Sequence, residues 1–189
     1  DYKSLESVKK MGRDILGTKL PIHGLVNIAG VTKDAVFQMT SSSDMEEIFK
    51  INTIATMVLT QFITKRMLRD KRGSVVNISS ISALDGICGQ LSYTMSKAAL
   101  IASTKTLSRE LGLSGIRVNC IAPSLTKSKI SEFILKNEKM AESIAKMHPL
   151  KRVGEGNDSS SVAKFLLSNE SSWITGQILG VDGGRSSVA

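Results

Sequence analysis

The sequence predicts an α/β fold in which a parallel sheet is covered by helices, and three observations carry that expectation. Short β-branched runs alternate with amphipathic stretches along the chain. The runs are apolar without strict alternation, as strands buried on both faces are. Each is followed by a small or polar residue that opens a loop. With 189 residues, 41% of them hydrophobic and 22% charged, the chain is expected to form a single domain over 1–189 with one core.

The first helix is expected from about Ser4 to Leu16, where Leu5, Val8, Met11 and Ile15 recur at helical spacing ahead of a Gly17 stop and Pro21. Gly24-Leu25-Val26-Asn27-Ile28-Ala29 reads as a buried strand whose loop opens at Gly30. Ser43-Asp44-Met45-Glu46 has the form of a capping box, so a long helix should start there. Its apolar stripe through Met45, Ile48, Phe49, Ala55, Leu59, Phe62 and Ile63 runs on to a basic cluster before Gly73. Ser74 to Ser79 and Ile116 to Ile121 are further strands, separated by a helix from near Ser92. Helical stretches follow at about 128–146 and 158–168, and Ile178 to Val181 closes the sheet before Asp182-Gly183-Gly184.

Charge and composition exclude several function classes. The net charge of +8 raises an anionic partner, but eight aromatic residues are too few for a base-stacking platform, so no nucleic acid is expected. Lys65, Arg66, Arg69, Lys71 and Arg72 read first as a solvated helix end. No apolar run is long enough to span a bilayer, and the residues from Asp1 onward lack the form of a signal peptide. A cytoplasmic location is therefore expected, with an organelle as the alternative if a targeting segment has been removed. Cys88 and Cys120 are far apart and His23 and His148 stand alone, so neither disulfide nor metal site is expected.

The chemistry-bearing residues are Tyr93 and Lys97, four apart at the start of a predicted helix and hence on one face. A phenol is a poor proton shuttle at neutral pH, and a nearby ammonium is expected to lower its pKa. Ser80 lies at the carboxyl end of the preceding strand, where parallel sheets place ligands. The Tyr–Lys pair alone says little, because such pairs occur on ordinary helices.

The ensemble says more. Tyr93 and Lys97 stand with VNIAG at 26–30, VNISSISALDG before the pair, RVNCIAPS at 117–124 and ITGQILGVDGG near the end. Together, from about Asp1 to Gly184, they resemble the short-chain dehydrogenase/reductase family, and within it most of all the 3-oxoacyl-(acyl-carrier-protein) reductases. The resemblance implies a doubly wound, Rossmann-type sheet. It also implies hydride transfer between NADP or NAD and a carbonyl or secondary alcohol, with Tyr93 as proton donor or acceptor. It makes Ser80 the hydrogen-bond donor to the reacting oxygen, and has Lys97 acidify the phenol and bind the ribose hydroxyls. Asn52 would hold a water relay. Asn27, Ala29, Gly30, Pro123, Ser124 and Ser128 would join Tyr93 and Lys97 in contacting the cofactor.

Read without the resemblance, Asn52 could cap or kink its helix, Asn27 could tie strands together and Ser80 could cap its own turn. The family's phosphate loop, G-x-x-x-G-x-G, does not occur in the 189 residues. The first β-α-β-α-β portion is accordingly expected to lie outside them, leaving the Leu25–Ile28 strand with an open edge. Ser124 replaces the glycine that usually follows the proline, and Ser128 stands for a common threonine. The segment from Leu125 to Met147 corresponds to a substrate lid. Expected partners are a small carbonyl or acyl thioester substrate, an acidic acyl carrier protein steered by the Lys71–Arg72 cluster, and further copies of the chain in a homodimer or homotetramer. The alternative is a catalytically silent homologue acting as a partner subunit.

Overall fold

The computed structural model describes residues 1–18 and 20–187. Helix α1 (Leu5–Gly17) starts at Ser4, whose hydroxyl accepts the Ser7 N–H. Strand β1 (Gly24–Asn27) leads through an exposed loop to α2 (Ser42–Phe49). The N-cap of α2 is Ser41, whose Oγ accepts the Asp44 N–H at 3.1 Å, while Ser43 already lies inside the helix. The expected capping box is thus displaced by two residues, since three consecutive serines offer the same chemistry. The expected single long helix is also interrupted, because Lys50–Ala55 form a π turn between α2 and α3 (Thr56–Asp70).

Strand β2 (Gly73–Ile78) is followed by the short α4 (Ser82–Asp85), the long α5 (Leu91–Gly112) and β3 (Ile116–Pro123). The expected helix over 128–146 divides into α6 (Glu132–Leu135) and α7 (Glu138–Lys146), the second capped by the Asn137 side chain. Helix α8 (Gly156–Leu167) and strand β4 (Ile178–Val181) complete the domain.

The four strands are parallel in the order β1-β2-β3-β4. Val75 and Val76 are adjacent in β2 and both fully buried, yet they enter different cores. Val75 meets Val8, Leu59, Ile63 and Met67 from α1 and α3, and Val76 meets Ala163 and Leu166 of α8. Because successive side chains point to opposite faces of a strand, this pairing shows that both faces of the sheet are covered. The doubly wound α/β expectation holds. Burying two faces leaves the loops at the carboxyl ends of the strands as the place for ligands. Among the described residues no helix is long and apolar enough to cross a membrane.

Candidate active site

The carboxyl ends of β1, β2 and β3 bring most of the predicted residues together around the first turns of α5. Its backbone carbonyls are pinned from three sides. Ser79 Oγ donates to the Lys97 carbonyl at 2.9 Å, Thr53 Oγ1 to the Ser96 carbonyl at 2.9 Å, and Ser96 Oγ to the Tyr93 carbonyl at 2.7 Å. Asn52 Nδ2 in turn donates to Ser96 Oγ and to the Val31 carbonyl, both at 2.9 Å, while its Oδ1 accepts the Val31 N–H at 2.8 Å. Asn52 is wholly buried within the π turn. Such turns misalign the helix ladder locally, and here the misalignment lets one side chain join the β1 loop to α5.

Lys97 is 3% exposed, and its ammonium donates to the Ile78 carbonyl at 2.7 Å. Nζ lies 5.7 Å from the centre of the Tyr93 ring, within reach of its π face. Burial lowers the Lys97 pKa to about 8, because the charged form loses hydration. Its neighbour Cys120 partly opposes that shift, while burial pushes the thiol itself up to about 11.

The Tyr93 phenol is raised above its ordinary value, first by burial, against the lowering effect of the Ser80 hydroxyl, and further by the charge of Asp34. This corrects the expectation that Lys97 acidifies the phenol. Lys97 is buried and Tyr93 half-buried, and desolvation is the largest cause of the shift in each, disfavouring the charged form. The phenol is therefore held protonated. Ser80 Oγ accepts the Ser82 N–H at 3.2 Å, which leaves its own proton free to donate. Its neighbour Ser79 is buried and committed to α5, so Ser80 is the serine that faces the phenol.

Gly30 lies directly beneath this group. A Cβ there would stand 3.3 Å from Lys97 Nζ and 3.4 Å from Asn52 Oδ1, so glycine keeps the approach open. Ala29 is exposed beside it. Asn27 has a different place, for its amide is spent inside the sheet, donating to Asn77 Oδ1 at 2.8 Å and Thr60 Oγ1 at 3.0 Å. Pro123 ends β3, and its carbonyl accepts the Ile81 N–H at 3.0 Å beside Ser80. Ser124 is buried and bonded to His148 Nε2 at 2.7 Å. Ser128 is exposed and hydrogen-bonded with Ser131 within the segment 125–147, with no bond to the Tyr93 cluster among the described residues. A groove of about 430 Å³ lies at the amino ends of the strands between Arg72, Arg117 and Trp173, and none of the predicted site residues lines it.

Residues 1–186 match the family described as enoyl-(acyl carrier protein) reductase. The chain is 37% identical over 177 residues to the 3-oxoacyl-(acyl-carrier-protein) reductase FabG of Thermotoga maritima, covering 94% of this chain and 68% of that protein. It is 33% identical to nodulation protein G of a Rhizobium species, with 97% and 74% covered. The chain belongs to the short-chain dehydrogenase/reductase family.

Solved structures of similar form include ElxO with NADP bound, at 29% identity and a TM-score of 0.92, covering all of this chain and 77% of that one. At 23% identity and a TM-score of 0.95, a gluconate 5-dehydrogenase from Burkholderia cenocepacia shares the fold. In this short-chain dehydrogenase/reductase, Asp34, Thr53 and Ser96 escaped the sequence reading. Each has at least one partner far along the chain, Gln90 for Asp34, Ser96 for Thr53 and Asn52 for Ser96, and no spacing signals these pairs.

Proposed function

We propose that this chain reduces carbonyl groups with NADPH or NADH, NADPH preferred, and that its substrates are 3-oxoacyl thioesters. The observation that carries this reading is a half-buried phenol held beside the Ser80 hydroxyl and the buried Lys97 ammonium. Carbonyl reduction needs a proton donor at the oxygen, and a raised pKa keeps Tyr93 in that form.

The residues fit a hydroxyl-rich cofactor. An ammonium has three donors, and Lys97 spends one on Ile78 within the protein. The remainder face the space that Gly30 leaves clear, where ribose hydroxyls would be accepted. A nicotinamide bound there supplies the hydride. Ala29, Gly30 and Pro123 would hold it from the strand ends, Ser124 would support that loop through His148, Ser128 would reach it only by moving from its place beside Ser131, and Asn27 would act through the sheet.

Tyr93 then gives its proton to the substrate oxygen while Ser80 donates a hydrogen bond to the same atom. That bond strengthens as negative charge develops there. Lys97 steadies the resulting phenolate across its ring, and Asn52 holds the β1 loop and α5 in register, with a water relay at its backbone returning the proton.

An acidic carrier protein is a fitting donor of the thioester, and a cytoplasmic setting suits it. The Lys71–Arg72 cluster follows α3 at the amino end of β2. A strand rises ~3.3 Å per residue, so the cluster stands about 20 Å or more from Ser80 and cannot touch a substrate at Tyr93 of the same chain. Its contribution to carrier docking is thus confined to steering. The test is NADPH oxidation followed with acetoacetyl thioester. The protein should turn it over, and Tyr93→Phe should lose at least about a thousandfold while remaining folded. An inactive wild type with intact fold would instead favour the partner-subunit reading.

A further inference from the structure

Between Leu125 and Met147 only Ser131 is buried, so the two helices of this segment, α6 and α7, have almost no core of their own. Polar ties hold them instead. Ser131 Oγ donates to the Thr126 carbonyl at 2.6 Å and fastens the first half. The second half ends at His148, just beyond α7 and 1% exposed. Its ring bonds in two directions. Nδ1 lies 2.8 Å from the Ile144 carbonyl, four residues back, and can only donate there. Nε2 of the neutral ring then accepts, and it stands 2.7 Å from Ser124 Oγ, 24 residues away.

Ser124 carries this tie towards the site. Its N–H donates to the Val181 carbonyl at 3.2 Å and its own carbonyl accepts Thr126 Oγ1 at 2.9 Å, which fixes the backbone there. The preceding Pro123 carbonyl accepts the Ile81 N–H, beside Ser80, at 3.0 Å. One bonded path thus runs from the Ser80 turn through Pro123 and Ser124 to the end of α7. A glycine, the residue usual after this proline in similar chains, would offer His148 no such partner. Backbone bonds from Gly154 N–H to the Leu125 carbonyl, 2.9 Å, and from Lys127 N–H to the Gly154 carbonyl, 3.0 Å, close the root of the segment separately. What the His148 bond adds is the seating of α7.

We propose that His148 is a positioning residue whose bond to Ser124 seats the 125–147 segment and thereby sets the affinity for substrate without entering the chemical step. The inference rests on the reductase reading of the same site and deepens it. A segment seated only part of the time binds in proportion to that fraction, so loosening it raises KM and leaves kcat nearly alone.

Two substitutions divide the bonds of the ring. His148→Gln reaches Ser124 and gives up Ile144, whereas His148→Asn keeps the nearer Ile144 bond and loses Ser124. Brief tryptic digestion, with the cuts identified by mass, reads the seating without turnover, because the segment holds Lys127, Lys129, Lys136, Lys139 and Lys146. His148→Asn should be cut there about tenfold faster than wild type and His148→Gln within about threefold of it, with cuts elsewhere unchanged in both. Ser124→Gly, which removes the partner instead of the ring, should be cut like His148→Asn. In parallel, KM for acetoacetyl thioester should rise about tenfold in His148→Asn at nearly constant kcat, and His148→Gln should restore it. Equal cutting of the two His148 variants, cutting spread over the whole chain, or a loss confined to kcat overturns the proposal. A wild type that does not turn over the thioester overturns the reductase reading, while the digestion still decides whether His148 seats the segment.

Discussion

Lys97 is kept as a cation at a cost to the fold. Its pKa falls from 10.5 to about 8 on burial, so between those values the folded chain binds fewer protons than the unfolded one. The penalty is complete below pH 8 and fades as pH rises towards 10.5. Lys97→Met removes the buried charge, keeps much of the volume, and forfeits the bond to the Ile78 carbonyl. Thermal unfolding should show that variant about 1–3 kcal/mol more stable at pH 7, with the gain shrinking towards zero near pH 10.5, while turnover is lost. A variant destabilised at both pH values would show that the ammonium contributes to the fold instead of burdening it.

Residue identity was legible where the chemistry runs along one stretch of chain. Tyr93 and Lys97 share a helix face and Ser80 ends the preceding strand, so order and spacing sufficed. Asp34 and Gln90 are brought together by tertiary folding alone, and no local pattern marks either. The sign of the Tyr93 shift was equally hidden, for it depends on how deeply both partners are buried.

At the scale of elements, strand and helix periods predicted every major segment, and the errors fell at breaks. The π turn at Asn52 interrupts a continuous apolar stripe, which carries no sign of a changed hydrogen-bond ladder. The lid divides because Asn137 caps a second helix inside an otherwise helical stretch.

His148 shows how this lid is fastened. Ser124 and His148 flank the segment 125–147, and the buried ring joins them. Its Nδ1 lies 2.8 Å from the Ile144 carbonyl and must donate there, so Nε2 accepts the Ser124 hydroxyl. Ser124→Ala strands a buried acceptor and should cost about 1–3 kcal/mol in denaturant unfolding. Adding His148→Phe should cost less than the sum of the two single changes, because neither group then lacks a partner. Additive losses would show that the two side chains act independently.

Across the whole molecule, the two ends of the sheet are chemically distinct. Tyr93, Lys97, Ser80 and Gly30 gather at the carboxyl ends, while Lys71, Arg72 and the fully exposed Trp173 occupy the amino ends. The sequence placed Ser80 after its strand and the basic cluster before Gly73, and the structure sets the two at opposite ends of the sheet. β1 is an outer strand of the sheet among the described residues. The fold class was legible because both-face burial leaves a compositional trace, as adjacent Val75 and Val76 illustrate.

The account depends on hydride arriving at a carbonyl carbon while Tyr93 protonates its oxygen. Mass spectrometry of the product formed from acetoacetyl thioester and NADPH carrying deuterium at the transferable position of C4 tests this most directly. One deuterium at C3 of the 3-hydroxyacyl product, and no such product from Tyr93→Phe, is the predicted result. Product without deuterium, or equal labelling by the Tyr93→Phe protein, would contradict it.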